Sequence, residues 1–358
     1  MSPVMKKKLV AVIYGGRSSE HEVSVESART VLDLAEKAGF RVLPVLIGRD
    51  GRWSAADPRR GGKGLPLLFD PADGSLLKGN SRIRPACYFP IIHGTTGEDG
   101  VLQGLLEIGG AAYAGCGVEA SAVGMDKVLS KKLAAERGVP VLPHILIEAA
   151  EKGSLERGLG KAAALPLPLF VKPVALGSSV GVTKVKTRGA LRAAVRKALK
   201  FDTAVMIERG VDRAREIVVG VLGEGLSAAA SVCGEVRPKG RHEFFDYEAK
   251  YLDDNGMDFI LPARLPAAVC AALRDKAAAA FRALGCSGMA RVDFLLDPRD
   301  PRRFWFCEIN TAPGFTSHSL YPRLWNETGV SPERVVARLV QIGEARRSSR
   351  ARLSIARK

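Results

Sequence analysis

RVDFLLDPRDPRRFWFCEINTAPGFTSHS, residues 291–319, carries two apolar runs (Ala290–Leu296 and Arg303–Ile309) on either side of a turn-rich DPRDP segment. That pattern predicts a β-hairpin. Residues two apart on a strand share a face. Arg291 and Asp293 therefore point one way on the first strand, and Glu308 and Asn310 share a face on the second. A register that sets Asp293 opposite Glu308 also sets Arg291 opposite Asn310. One face then holds two carboxylates, an amide oxygen and a guanidinium. Salt bridges on a solvated sheet face would be the ordinary reading. Here Val292, Phe294, Phe306 and Ile309 are core-like neighbours, and burying such a polar set without a partner is costly. Three oxygen donors at this spacing suit a hard cation such as Mg²⁺, which typically bridges phosphates. An arginine beside them offsets charge developing on a reacting group. The stretch reads as a phosphoryl-transfer site.

The 358 residues suffice for two or three domains with a substantial core. Nearly half are hydrophobic and a quarter charged, the composition of a water-soluble α/β chain. The cysteines, at positions 87, 116, 233, 270, 286 and 307, show no C-x-x-C spacing and lie mostly among apolar neighbours. They read as buried thiols in a reducing compartment, not as a disulfide framework or zinc site. The opening MKKKLVAVIYGG has a basic start, but its apolar run ends after six residues. No cleavage-like tract follows, so a first core strand is expected there instead of a signal peptide. No apolar run is long enough to span a bilayer, and a cytoplasmic location is expected. The formal net charge of +16 would suit a nucleic-acid binder. Much of it falls after Glu344, where Arg346, Arg347, Arg350, Arg352, Arg357 and Lys358 face no acidic residue. A mobile basic tail, a solvated surface and an anionic substrate are the better reading, since no DNA- or RNA-binding motif is present.

From the N-terminus, residues 9–14 predict a buried strand that runs into Gly15-Gly16 and the polar segment RSSEHEVS. Ala28, Val31, Leu32 and Ala35 then recur at helical spacing. Strand, Gly-rich turn and helix open a nucleotide-binding-like α/β unit, although the turn alone is a weak signal. Residues 41–47 predict a second strand, and Gly48–Pro85 read as a long surface excursion. The strand Ala86–Ile92 leads into HGTTGEDG and the helix Val101–Ile108, again a polar loop at a helix N-terminus. Asp126 starts a helix ended by Gly138 and Pro140, and a domain boundary is placed near Met125. After VPVLPHILI comes a linker-like Ala/Gly/Lys stretch. The strand LFVKP (169–173) then meets the Gly/Ser-rich loop 174–182. A lysine before such a turn can hold phosphates with backbone N–H groups, though this is not a Walker A loop. Glu208 ends the strand Ala204–Glu208, read as an edge that could face an adenine. The HEFFDYEAKY segment, 242–251, reads as a loop that orders over a ligand. A helix over Pro266–Leu284, with Val269, Leu273, Ala277, Ala280 and Phe281 inward, precedes the hairpin, and a last helix begins at Ser331-Pro332.

Taken together, GGRSSEHEVS, HGTTGEDG, MDK, VKPVALGSSVGV, FFDYEAKY, ARVDF and EINTAPGFTSHS resemble the D-alanine–D-alanine ligases of the ATP-grasp superfamily. The likeness covers nearly the whole chain. Any one motif is weak, but all of them in order are highly specific. The resemblance implies an α/β class with α+β elements: an N-terminal parallel-sheet domain and two further α+β domains clamping ATP. Residues 1–125 would form the first domain with the first D-alanine site, 126–212 the central one, 213–345 the catalytic one and 346–358 the tail. The implied activity joins two D-alanine molecules through an acyl phosphate for peptidoglycan synthesis, with ATP and two Mg²⁺ ions, or Mn²⁺ in their place. Lys127 and Lys172 match lysines on the ATP phosphates, with Ser178, Ser179 and Lys250 in the same nucleotide region. Glu208 and Glu216 match acids at the adenine and ribose, and Asp293, Glu308 and Asn310 match the metal ligands. Glu20 matches the acceptor of the first D-alanine's ammonium, with His93 nearby and Ser178 and Tyr251 as its hydrogen-bonding partners. Arg291 and the Gly314 N–H match oxyanion donors. Lys250, Ser319 and the Leu320 N–H match groups around the second substrate. A homodimer is the family's usual form, and neither nucleic acid nor membrane is an expected partner.

A ligase joining D-alanine to D-lactate or D-serine is the nearest rival. Another ATP-grasp carboxylate–amine ligase would not need the EHEVS and DYEAKY segments. A nucleic-acid-binding protein would account for the charge but not for the donor set beside Arg291.

Overall fold

The computed structural model describes residues 7–238 and 257–354. Three sheets organise the chain. The first is built around β1 (Leu9–Gly15), which pairs in parallel with β2 (Arg41–Ile47) and β7 (Cys87–Pro90). Both faces of β1 are buried: Val10 and Val12 join one core, Ala11 and Ile13 another. This is why LVAVIY reads as a continuous apolar run and not as an alternation. Helix α1 (His21–Lys37) lays Ala28, Val31, Leu32 and Ala35 on the first face, and α2 (Val101–Ile108) lays Leu102 and Leu106 on the second.

The segment 48–85 departs from the expected surface excursion. It forms β3 (Trp53–Ala55), β4 (Leu65–Asp70), β5 (Ser75–Lys78) and β6 (Ser81–Ile83), which extend the first sheet antiparallel beyond β2. Each strand sends only one or two apolar side chains, such as Trp53, Leu67 or Leu76, into the core. Strands that short leave no period to read between their Gly, Pro and Asp turns.

Helices α3 (Val118–Met125) and α4 (Lys127–Glu136) meet at Asp126, whose carboxylate accepts the Val128 and Leu129 N–H groups as an N-cap. The second sheet is antiparallel in the order β10-β9-β11-β8: β8 is His144–Glu148, β9 Leu169–Pro173, β10 Thr183–Val185 and β11 Ala204–Arg209. Its cover is α5 (Ser154–Ala162) and α6 (Leu191–Ala198). The stretch read as linker-like is therefore partly a helix, with Leu155 and Leu159 packed on the sheet. Strand β11 lies between β9 and β8, so Glu208 is not on an edge: it pairs with both Phe170 and His144.

The third sheet runs β14-β13-β12-β15-β16, with β12 Arg215–Glu224, β13 Ala229–Pro238, β14 Met257–Ile260, β15 Ser287–Asp297 and β16 Asp300–Asn310. Helix α7 (Ala267–Ala283) buries Val269, Leu273, Ala277, Ala280 and Phe281, the inward set expected from the sequence. The last two helices, α8 (Leu320–Glu327) and α9 (Pro332–Arg350), fold back: Val335, Val336, Leu339 and Val340 share a core with Val10 and Phe89 of the first sheet and Leu32 of α1. Among the described residues no helix is long and apolar enough to cross a membrane.

Helix α9 also corrects the expectation of a tail that is mobile from residue 346. Arg346 donates to the carbonyls of Gly115 (2.7 Å) and Tyr113 (2.9 Å), with its guanidinium 4.2 Å above the Tyr113 ring. Arg347 donates to the Gly110 carbonyl, and Arg350 pairs with Glu107. Arg346 and Arg347 thus cap backbone carbonyls of the segment after α2. Replacing Arg346 with Ala should cost about 1–3 kcal/mol of stability through the lost stacking and unsatisfied carbonyls. Equilibrium urea unfolding measures it, and an unchanged midpoint would reduce the contact to a passive one.

Candidate active site

The hairpin β15–β16 has the register that residue type predicts, with Arg291 opposite Asn310 and Asp293 opposite Glu308. One feature was not anticipated. Phe294 pairs with Phe306, so Cys307 is an extra residue in β16, a β-bulge. Phe306 and Ile309 share one core although they are three residues apart, which the alternation of a regular strand would put on opposite faces. The bulge resolves this. Phe306 stays in the core, its ring edge-on to Phe294, while Glu308 and Asn310 turn to the opposite face beside Asp293.

That face looks into a cleft of about 930 Å³ where the sheets meet. The first sheet contributes Glu20, His93 and Glu98; α4 contributes Lys127; the loop after β9 contributes Ser178. Arg291, Glu308, Asn310, Gly314, Ser319 and Leu320 complete the wall. A side pocket of about 110 Å³ between the second and third sheets is lined by Lys172, Ser179, Glu208, Glu216 and Asp293, among others. Lys127 and Glu308 line both spaces. The structure thus gathers every site residue named from the sequence except Lys250 and Tyr251, which lie outside the described residues together with the rest of the FFDYEAKY segment.

Glu20 occupies the N-cap position of α1, yet its side chain makes no capping bond to that helix. Its backbone N–H donates to Ser18 Oγ (3.0 Å), and its carboxylate accepts Ser178 Oγ at 2.5 Å. Ser178 and Ser179 reach this place with φ near +53° and +57°, a backbone that non-glycine residues seldom adopt and that recurs at functional loops. His93 is held from both ring nitrogens: Nε2 is 3.0 Å from Ser27 Oγ and Nδ1 is 3.5 Å from Glu98 Oε1. Burial pushes the Glu98 carboxyl above the usual carboxylate range, opposed by His93 and reinforced by the Glu20 charge.

At the other end, Lys127 Nζ donates to the Leu176 carbonyl (2.5 Å) and lies 3.8 Å from Glu308. Lys172 Nζ lies 2.7 Å from one oxygen of Glu208, and Lys131 Nζ 2.7 Å from the other. Burial alone would raise the Glu208 carboxyl, but the two ammonium groups outweigh it and hold the pKa at about 2. Arg291 forks onto Asp293 through Nε (2.8 Å) and Nη2 (2.7 Å). Ser319 Oγ accepts the Thr316 N–H at 2.8 Å, which shapes the turn beneath Gly314. The donor set Asp293, Glu308 and Asn310 is all oxygen. Among the described residues no group of three His, Cys, Asp or Glu is arranged to hold a metal by itself. The oxygens already accept from protein groups, Asp293 from Arg291 and Asn310 Oδ1 from the Ala312 N–H. An all-oxygen set of this kind fits Mg²⁺, which takes one or two carboxylates and completes its shell with phosphates and water.

Two residues were not singled out by sequence. Lys131 lies one helical turn after Lys127 in KVLSKKLAAE, and that spacing was the available signal. Glu98 sits in the quoted HGTTGEDG loop, but only its closeness to His93 gives it a role.

Residues 9–116 match the family model described as D-ala D-ala ligase N-terminus, and residues 133–341 match D-ala D-ala ligase C-terminus. The chain is 45% identical to D-alanine–D-alanine ligase A of Bradyrhizobium diazoefficiens, over 95% of this chain and 96% of the relative. It is 41% identical to the D-alanine–D-alanine ligase of Heliobacterium modesticaldum, over 96% of each. Among solved structures, a D-Ala:D-Ser ligase from Enterococcus faecalis superposes with TM-score 0.84 at 32% identity, over 94% of this chain and all of that one. The D-alanine–D-alanine ligase from Coxiella burnetii gives 0.82 at 32% identity, over 96% of each.

The space around Glu20 makes one position exacting. A Cβ on Gly94, whose φ is +74°, would lie 2.7 Å from Glu20 Oε2 and 2.9 Å from Ser18 Oγ. Gly94→Ala should therefore displace the carboxylate and, if Glu20 forms the subsite for the first D-alanine's ammonium as the family resemblance implies, raise the D-alanine concentration needed for half-maximal turnover by about tenfold or more. ATP affinity should be unchanged. Steady-state kinetics with each ligand varied would test this, and an unchanged D-alanine requirement would remove Glu20 from that subsite.

Proposed function

This chain belongs to the D-alanine–D-alanine ligase family, and from that premise we propose that the cleft joins two D-alanine molecules into D-alanyl-D-alanine for peptidoglycan synthesis, converting ATP to ADP and phosphate. The fold is that of the ATP-grasp ligases. The observation that carries the reading is that Lys127 and Glu308 line both spaces. An amino-acid subsite at Glu20 and an anion subsite at Lys172 thereby open onto one donor face.

A carboxylate is a poor electrophile, so the first D-alanine is activated by transfer of the ATP γ-phosphoryl group to its carboxylate. The amine of the second D-alanine attacks the acyl phosphate, and phosphate leaves from the tetrahedral intermediate. Positioning and charge do most of the work in such transfers. Lys127, Lys172 and the backbone of the Ser178–Ser179 turn hold the phosphates. Glu216 takes the ribose, and the Glu208 end of β11 lies by the adenine. Because β11 is an inner strand, the backbone facing the base starts after Arg209, where Val211 lines the pocket. Glu20 receives the first ammonium, steadied by Ser178, with His93 beside it. Arg291 and the Gly314 N–H face the oxyanion, and loss of one such donor typically costs roughly 10²–10³ in rate. Ser319 and the Leu320 N–H face the second substrate's carboxylate. Asp293, Glu308 and Asn310 would hold two Mg²⁺ ions, or Mn²⁺ in their place. When bound, these ions offset charge on the transferring phosphoryl group.

Lys250 and Tyr251 would complete the reading by family resemblance alone, one for the second carboxylate and the other as a hydrogen-bonding partner of Ser178. We place the enzyme in the cytoplasm as a homodimer, with domains at 1–125, 126–212 and 213–345. A second reading has a specific motive: one of the structural neighbours is a D-Ala:D-Ser ligase. Phosphate release from ATP with D-alanine alone, and with D-serine, D-lactate or L-alanine added, separates the two. D-Alanine alone should suffice. Tyr251→Phe should lower that rate or raise relative acceptance of D-lactate, and an unchanged rate and preference would leave the phenol no part in specificity. Glu308→Gln should abolish turnover and weaken the Mg²⁺ dependence of nucleotide binding while the protein stays folded. Wild-type turnover in that variant would overturn the metal assignment.

A further inference from the structure

Among the described residues, Lys131 is the one buried cation near the nucleotide pocket that the reaction as described does not use. Its side chain has no solvent exposure. Its ammonium touches Glu208 Oε1 at 2.7 Å, donates to the Phe306 carbonyl at 2.9 Å and lies 5.6 Å from the Phe306 ring centroid. Three elements therefore converge on one nitrogen: α4, β11 and the residue immediately before the β16 bulge. The Phe306 N–H donates to the Pro140 carbonyl, so both backbone polar groups of Phe306 are fixed.

A buried ion pair is weak support for stability, because desolvation offsets most of its attraction. The arrangement makes better sense as charge management. Glu208 offers one oxygen to Lys131 and the other to Lys172. With Lys172 alone it would form a closed, neutral pair. With both lysines the triad keeps one net positive charge, and Lys172 can spend its remaining N–H donors on an anion.

We propose that Lys131 is a positioning residue of the nucleotide site: by sharing Glu208 it keeps the Lys172 ammonium electrostatically available to the ATP phosphates. The inference rests on the reading of the cleft as an ATP site. It makes ATP affinity follow the charge of the triad and not the number of its hydrogen bonds. Lys131→Met makes the triad neutral, whereas Lys131→Met combined with Glu208→Gln restores one positive charge without restoring any Lys131 contact.

The test is calorimetric titration of the full-length chain and these variants with ATP and Mg²⁺, and separately with adenosine, which lacks phosphates. Lys131→Met should weaken ATP binding by about tenfold. For Lys131→Met, adenosine binding and the D-alanine requirement should stay within about twofold; the double variant, which also alters the adenine side through Glu208, should regain most of the ratio of ATP to adenosine affinity that the single variant loses. ATP binding as tight as wild type in the single variant, or parallel losses for ATP and adenosine, would overturn the proposal. If the single variant does not fold, Glu208→Gln, with two positive charges, should bind ATP more tightly than the double variant, and equal affinities would overturn it. Failure of the wild-type chain to bind ATP would instead overturn the reading of the site.

Discussion

The chemistry of this protein hangs on one extra residue. Without Cys307 as a bulge, strand alternation would leave Phe306, Glu308 and Asn310 on a single face. Either the phenylalanine would leave the core or two oxygen donors would enter it. The bulge lets β16 satisfy both demands. Phe306 remains packed against Phe294, and Glu308 faces the cleft opposite Asp293. The bulge is pinned through the backbone of Phe306, whose N–H reaches the Pro140 carbonyl and whose carbonyl accepts Lys131. The donor face is thus set by backbone geometry that two buried hydrogen bonds hold in place.

Charge is distributed along the cleft to match what each end must hold. Lys127, Lys131 and Lys172 cluster at the end read as the nucleotide site, and Glu208 shares its carboxylate between two of them. Glu20 and Glu98 stand at the other end beside His93, a setting that favours an incoming ammonium. Between them Arg291 lies over Asp293. A guanidinium in that place can serve a developing oxyanion while moderating repulsion between the two hairpin carboxylates. Opposed charge at the two ends orients a substrate that is itself an ammonium at one end and a phosphorylated carboxylate at the other.

Much of this was legible in the sequence, and the parts that were not share a physical cause. Register of the hairpin followed from the alternation of Arg291, Asp293 and Phe294, because one face had to be apolar. The bulge left only a spacing of three between Phe306 and Ile309, a signal easily taken for two ordinary core residues. Strands β3 to β6 were unreadable because three- to six-residue strands bury too little to impose a period. Helix α5 was hidden by glycine and lysine in SLERGLGKA. Glu208 was placed on an edge because strand order in a sheet is a long-range property. The arginines after Glu344 looked like a solvated tail because their partners are backbone carbonyls of residues 110–115, over two hundred positions away. Local chemistry shows in sequence; which distant surface receives it does not.

The way the cores are shared explains why the site lies where it does. The first and third sheets are joined by a common apolar core in which Val335 and Leu339 of α9 pack with Val12, Leu222 and Met289. The second sheet keeps a core of its own, from Ile147 to Ile207. Its links to the rest include a small cluster of Val128, Val174 and Met206 and, beyond that, polar contacts: Ser178 to Glu20, Lys127 to the Leu176 carbonyl, and Lys131 to Glu208. An apolar seam resists opening in proportion to the area it hides, whereas polar contacts can be exchanged for a ligand's own groups. A nucleotide entering between the second and third sheets therefore meets the seam that yields most readily. The groups it displaces or recruits there are also the ones proposed to read its phosphates. Ser178 then ties the position of that sheet to Glu20, so the loop that turns over the phosphates also steadies the acid at the opposite end of the cleft.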